Sequence, residues 1–438
     1  MVACRSMTDG GQDEIRTRLA ETEAYLTNIL LPFWLQNVAD PDGHGYLTYF
    51  DAAGRRGPQT EKTFLMQIRS LYTMASAHRQ GYGQNISAEL AGMGAEFILD
   101  HYWDDKHDGW IWIADRAGNP TVYDKVGYGQ CFAVYAFSEH CLATGDDRGR
   151  KAAERSYTVI RERMADSPDG YLELFERDWQ PKPGGKAGGD RKSLDVHMHM
   201  MEAFTTLYEL TGDPEHRDAL QDIIDLILAR MIDRETGLPY IQFSHAFEPL
   251  PAITFETEWG RDAEPGGGAH PLHMTSPGHN VEFAWLLLHA ADILGQSRET
   301  YAAVLRPIFD HAVTYGLDAE HGGVYADVPM NQPTNLTDKQ FWQQAETLIG
   351  MLDAYQLYRD SRYWDAFENV YRFVFDKMVR IEAGGEWVER VDRQGNVVDA
   401  ELGHAWKINY HTVRGMIQVV RRLHMMQNNL PSAEDTGQ

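Results

Sequence analysis

Two kinds of helical pattern alternate along the chain. From Ser193 to Leu210, SLDVHMHMMEAFTTLYEL carries apolar residues nearly all round a helix, the pattern of a segment buried on every side. From Glu215 to Ile232, EHRDALQDIIDLILARMI carries one apolar stripe opposite a charged face. Between them stands TGDP, where Gly212 closes the first helix and Asp213 caps the second. The same grammar returns from Tyr128 to Ile160 and from Phe341 to Val374. It predicts helix pairs in which one member is buried and the other covers it.

A short turn motif separates the pairs. An acidic or small residue precedes Gly, and an aromatic or apolar residue begins an alternating stretch after it. The motif recurs at Gly45 (GHGYLTYFD), Gly109 (HDGWIWI), Gly170 (PDGYLEL), Gly237 (ETGLPYI), Gly323 (EHGGVYA) and Gly385 (AGGEWVE). Successive glycines lie 64, 61, 67, 86 and 62 residues apart, a regular repeat with one long interval. Each motif reads as a tight turn in a short hairpin, with Gly taking a positive φ. Six units of two helices, without distinct capping units, suit a closed toroid better than an open solenoid. The fold expected is therefore all-α, a toroid of six helical hairpins with short β-hairpins and long loops at one end. It forms a single domain over residues 1–438. Residues 1–15 and 428–438 read as unstructured tails. The long interval holds an insertion, 243–277, rich in Gly, Pro, Trp and acids, which reads as a loop.

Composition narrows the partners. The formal net charge of −25 argues against nucleic acid and anionic membranes, which require basic surfaces. No apolar run is long enough to span a bilayer, and the first residues lack the apolar core of a secretory signal. Cys4, Cys131 and Cys141 are too few and too scattered for a disulfide frame or a cysteine-based metal site, which fits a reducing cytoplasm. The 11 Trp and 21 Tyr supply core, and also the flat faces on which a sugar ring stacks.

The chemistry sits on the buried helices. Arg69, Tyr128, His199, His279 with Glu282, Trp342 with Glu346, and Trp406 with His411 each read as falling in the early part of such a helix. In a closed ring those starts converge on one pocket. Any one of these residues alone would usually be a satisfied core group or a packed ion pair. The recurrence of the same relative position lowers that reading for the set. His279 and Glu282, at i and i+3, share a helix face, so the carboxylate can fix the imidazole tautomer and raise its basicity. The spacing also permits a metal pair, with His199 and His411 as further ligands, but HExxH and cysteine signals are lacking and no metal is expected. His197 and His199 point to nearly opposite faces, so only one can face the pocket. His270, His273 and His404 fall in loops and read as solvated. Gly184 to Gly189 lacks a phosphate-loop pattern, and no GxSxG elbow occurs.

The ordered set RSLY at Arg69, YGQCFAVYA at Tyr128, HMHMMEA around His199, GHNVEFAW around His279, WQQAE at Trp342 and WKINYH at Trp406 resembles the N-acylglucosamine 2-epimerase superfamily, closest in look to its cellobiose 2-epimerases. The resemblance covers nearly the whole chain. It implies an (α/α)6 barrel that needs no cofactor and opens a pyranose, removes the C2 proton and passes through a cis-enediol(ate). Re-protonation at C2 gives the epimer, and delivery at C1 gives the ketose. It further implies His279 and His411 as the acid–base pair, His199 as a sugar-binding group that assists ring opening, and Arg69 beside the enediolate oxygen. Glu282 and Glu346 would orient histidines and hydroxyls, Trp342 and Trp406 would stack on the sugar, Tyr128 would hydrogen-bond it, and Trp285 would pack. The substrate implied is a mono- or disaccharide with a glucose- or mannose-type reducing end, and the protein a monomer or homodimer. Glu256, Glu258 and Trp259 are expected to close over bound sugar. The rival readings are an aldose–ketose isomerase, a glycoside hydrolase using acids such as Asp195 or Glu346, and a non-catalytic sugar binder.

Overall fold

The computed structural model describes residues 9–255 and 270–428. Six helices line the axis: α3 (Phe64–Arg79), α5 (Gly127–Thr144), α7 (Leu194–Thr211), α9 (Pro277–Leu294), α11 (Phe341–Tyr358) and α13 (Tyr410–Asn428). Six surround them: α1 (Asp9–Tyr25, continued through a π turn into α2, Leu31–Asn37), α4 (Gln84–His101), α6 (Asp147–Val159), α8 (Pro214–Arg230), α10 (Glu299–His311) and α12 (Ser361–Phe373). The inner helices touch in order, α3 to α5 to α7 to α9 to α11 to α13, and α13 returns to α3. The result is the (α/α)6 barrel. The segments with all-round apolar patterns are inside, and the striped ones are outside.

Closure differs from six equivalent hairpins. The outer partner of α13 is α1, so one unit is assembled from the two ends of the chain. The seam is tied by Arg18, which makes a two-pronged pair with Glu368 on α12. Buried Glu386 accepts from Trp34 at 2.7 Å and from Thr412 at 2.8 Å. This seam also corrects the expectation for the N-terminus. Residues 1–15 read as a tail, yet α1 starts at Asp9 and Ile15 is fully buried. Its low amphipathicity concealed a helix that only the closed ring holds in place.

The six turn glycines all have positive φ, between 68° and 81°. A Cβ on Gly45 would also meet the Phe97 ring at 2.4 Å. Around each turn a single antiparallel bridge forms, from Ala39–Tyr46 to Val379–Trp387. The inner helices grip these turns with one recurring side chain in the first helical turn. Gln67 pairs with both backbone groups of Tyr46, Gln130 with those of Trp110, and Gln344 with those of Val324. His197 occupies the same place on α7, accepting from Tyr171 N at 3.1 Å. His197 therefore faces the connection, which leaves His199, two residues on, turned toward the axis.

A buried lysine two residues before four of the inner helices makes a second strut. Lys62–Asp40 (2.9 Å), Lys125–Asp104 (3.2 Å), Lys192–Asp166 (3.0 Å) and Lys339–Asp318 (3.1 Å) each join the strand entering an inner helix to the end of the preceding outer helix. Such pairs are weak evidence of net stability, but removing one partner strands a buried charge at about 3–5 kcal/mol. The short strands entering the inner helices pair with strands of the next connection, as Lys62 faces Ala114 and Lys125 faces Phe175. The Phe50–Gly403 bridge links the last connection to the first. The connections from outer to inner helices thus gather at the N-terminal end of the inner ring. Within the 243–277 insertion, Phe243 pairs with Pro249, and Met274–Thr275 pairs with Val328–Pro329. Among the described residues no helix is long and apolar enough to cross a membrane.

Candidate active site

Every residue singled out on the inner helices lies at this end, in the first one or two turns. The ring brings Arg69 (α3), Tyr128 (α5), His199 (α7), His279 and Glu282 (α9), Trp342 and Glu346 (α11), and His411 (α13) to one site, with Trp406 in the connection above α13. His279 is the most exposed histidine of the three, its side chain 22 % accessible, against 8 % for His411 and 2 % for His199.

His411 is fixed from behind. Its Nδ1 lies 2.7 Å from Glu346 Oε1. Glu346 is held in turn by Trp285 Nε1 at 3.0 Å and by Arg414 Nη2 at 2.6 Å. With Nδ1–H donated to the carboxylate, the lone pair sits on Nε2. Burial is the largest influence on this imidazole and pushes its pKa down to about 3, although Glu346 opposes that. The ring is neutral at physiological pH. Arg414 and His411 together hold the Glu346 carboxyl below its ordinary range in spite of burial.

His199 has both nitrogens engaged. Nδ1 meets Glu202 at 2.9 Å, and Nε2 lies 3.1 Å from Tyr128 Oη and 3.4 Å from Asp195 Oδ1. Burial alone would lower its pKa, but the bonds to Asp195 and Glu202 raise it to about 9. It is an imidazolium that donates on both sides. Tyr128 Oη also receives Arg69 Nη2 at 2.6 Å. The hydroxyl thus stands between two cations, and its own proton points elsewhere. The Arg69 guanidinium, 4 % exposed, spends its other arm on Trp406 O at 3.0 Å and is flanked by the rings of Tyr128, Phe132 and Tyr410. Among the described residues it forms no ion pair with a carboxylate.

His279 corrects one expectation. Its couple with Glu282 does not form, because Glu282 turns away to Arg414 at 2.9 Å. Sharing a helix face was necessary but not decisive, since a fully buried guanidinium from α13 is the stronger competitor. Burial, with Glu346 nearby, raises the Glu282 carboxyl to about 8. The carboxylate beside His279 comes instead from α7: Asp195 Oδ1 lies 3.5 Å from His279 Nε2. The His279 ring packs on Trp342, centroids 4.4 Å apart, and His411 lies on the same indole at 5.9 Å. Trp406 is partly exposed beside Trp112 and Tyr128. His404, read as solvated, is buried and accepts from Trp406 N at 3.2 Å, so it shapes the Trp406 connection. His273 is exposed and His270 half-buried. Glu256, Glu258 and Trp259 lie outside the described residues.

Residues 45–415 match the family model of N-acylglucosamine 2-epimerase (GlcNAc 2-epimerase). The chain belongs to that family. A cellobiose 2-epimerase of Bacteroides fragilis is 26 % identical over 419 residues, covering 91 % of this chain and 98 % of that protein. The cellobiose 2-epimerase structure from Spirochaeta thermophila superposes with a TM-score of 0.82 at 27 % identity, over 96 % of this chain and all of that one. A D-mannose isomerase of Marinomonas mediterranea is 22 % identical, covering 90 % of this chain and 95 % of that protein.

In this member of the N-acylglucosamine 2-epimerase family, sequence reading missed the residue that organises the site. Arg414 is 1 % exposed and donates to Glu202, Glu282, Glu346 and Tyr410. Its signal was present: an arginine in the apolar run YHTVRGM, three residues after His411. Glu202, three residues after His199, carried a similar signal. The metal question takes a different form from the one posed by sequence. Glu282, Glu346 and His411 bring ligand atoms within 4.8 Å of one another, whereas His199 is tied to Glu202 and Tyr128. Arg414 Nη2 donates to one oxygen of each of those glutamates, so a fixed guanidinium supplies the cationic charge there.

Proposed function

We propose that the chain interconverts glucose- and mannose-type reducing ends by histidine-mediated proton transfer at C2, with a disaccharide such as cellobiose as substrate. Family membership and its relatives make it a sugar 2-epimerase/isomerase, an enzyme of the isomerase kind. Cellobiose as substrate rests on the relatives named for it. The observation that carries the mechanism is the pair of histidines from different inner helices against one indole, each beside a carboxylate: His411 with Glu346 and His279 with Asp195.

With the open-chain sugar on Trp342, a neutral imidazole takes the C2 proton, and the electrons pass to the C1 oxygen. That oxygen gains charge beside Arg69 and the Tyr128 hydroxyl, which donors fixed before the reaction stabilise at no reorganisation cost. His411 is a weak base at rest because burial penalises its cation. That penalty falls as the enediolate forms, since the new imidazolium then faces an anion. The second histidine returns a proton to C2 from the opposite face, and in the reverse reaction the roles exchange. His199, already protonated and held at both nitrogens, works as a fixed positive charge that aligns Tyr128. The hydrolase alternative fits poorly, because Glu346 is committed to His411 and Arg414 rather than to a scissile bond. A reducing cytoplasmic setting suits the free Cys131 and Cys141.

The test is a proton NMR time course in D2O with cellobiose, mannose and glucose, with EDTA present. Loss of the C2 signal with appearance of the epimeric aldose supports the proposal. A ketose product moves the assignment to aldose–ketose isomerisation. No exchange on any of these sugars overturns it.

A further inference from the structure

Asp195 occupies the first turn of α7, four residues before His199 and on the same helix face. Its side chain is only 8 % exposed. The amino end of the helix favours a negative charge at this position. One oxygen, Oδ1, lies 3.4 Å from Nε2 of His199 on its own helix and 3.5 Å from Nε2 of His279 on α9. Both nitrogens belong to histidines on which the proposed chemistry depends: one aligns Tyr128, and the other is on the ring that exchanges a proton with the sugar.

Resting on the 2-epimerase reading, we propose that Asp195 is a positioning residue shared by two histidines, its single oxygen holding the His199 imidazolium on one side and receiving the charge that His279 gains on the other. The separations are slightly long for settled hydrogen bonds, as is common before substrate binds. Protonating His279 Nε2 creates an N–H aimed at Oδ1, and the bond tightens when the charge appears. The carboxylate thus acts on His279 as Glu346 acts on His411, holding one ring nitrogen from a neighbouring helix.

Among the described residues, the other groups around each histidine do not duplicate this role. His279 is faced by the Trp342 ring from α11, and Glu282 on its own helix is spent on Arg414 of α13. His199 is faced by Tyr128 of α5, by Glu202 on its own helix and by the charge of Glu282 on α9. Arg69 of α3 reaches it only through Tyr128, and Arg414 and Tyr410 of α13 only through Glu202. Among the described residues, Asp195 is the carboxylate within 4 Å of both rings.

The experiment is a pH titration of histidine-labelled protein by NMR, comparing the native chain with Asp195→Asn. The His279 and His199 signals are identified by their loss in His279→Asn and His199→Asn. The His199 midpoint is expected to fall by about a unit or more, since an adjacent negative charge that favours its cation is removed. The bell of kcat/KM against pH should shift to lower pH on its alkaline limb, where the His199 imidazolium is lost. A structural role alone would lower activity and leave the midpoints in place. If Asp195→Asn folds poorly, Asp195→Ser removes the same charge. An unmoved His199 midpoint, or a native kcat, in a folded variant overturns the proposal. Absence of sugar C2 exchange in the native chain would instead remove the epimerase reading, and the titration would still decide the role of Asp195.

Discussion

Glu346 Oε1 receives two donors at once, His411 Nδ1 at 2.7 Å and Arg414 Nη2 at 2.6 Å. One oxygen therefore selects the His411 tautomer while its own charge is balanced by the guanidinium behind it. Glu346→Gln keeps the size and removes the charge, and its amide can present N–H to His411 and turn the lone pair to the wrong nitrogen. The expected result is a fall in kcat of about 10²–10⁴-fold, the span of general acid–base catalysis, with little change in KM. Steady-state kinetics on cellobiose check this, and a variant that loses KM instead would make Glu346 a sugar ligand.

Two bases on two faces predict an asymmetry. His279→Asn and His411→Asn should each abolish epimerisation by about 10²-fold or more. Each variant keeps one base, so each should still exchange the C2 proton of one epimer with solvent without inversion. Deuterium incorporation into recovered glucose- and mannose-type sugars separates the two, and the variant that labels the glucose type identifies the base on that face. Equal loss of exchange from both epimers in both variants would argue for one base with a mobile intermediate.

What could be read from sequence follows the range of the forces involved. The turns at Gly45 through Gly385 are local devices, so their spacing revealed the sixfold ring before any contact was known. The inward aim of His199 was likewise legible, because His197 two residues away had to face the other side. Pairings across helices were not. His279 and Glu282 have the right spacing, and yet Glu282 answers to Arg414, 132 positions further along the chain. Asp195 reaches His279 only because α7 and α9 are neighbours in the ring. The helix at Asp9 was missed for the same reason, since its partner α13 lies at the other end of the chain.

Arg414 is the electrostatic keystone, and its removal should be felt in stability before activity. Arg414→Met has similar length but leaves Glu202, Glu282 and Glu346 facing one another in a buried space. Losing one partner of a buried ionic cluster costs about 3–5 kcal/mol. Urea denaturation at pH 7 should show an unfolding free energy lowered by that amount. At pH 5 part of the loss should be recovered, because protonated carboxyls need no counter-charge. A loss that is independent of pH would mean that packing, not charge, is the function of Arg414.

His199 makes stability depend on pH in a defined direction. Its pKa is raised from 6.5 to about 9 by Asp195 and Glu202, against the opposing effect of burial. A group with a raised folded pKa contributes fully below its unfolded value and loses that contribution as pH rises through the folded one. The contribution is on the order of 3 kcal/mol, present in full below about pH 6.5 and gone above about pH 9. Glu282 also titrates in this range, since burial raises its carboxyl to about 8, so native-protein data alone would mix the two. The difference between the native chain and His199→Gln isolates the histidine. Unfolding free energies at pH 6, 7.5, 9 and 10 should show that difference shrinking as pH rises. A difference that stays constant would mean that His199 is neutral in the folded protein, and Tyr128 would then be aligned by Arg69 alone.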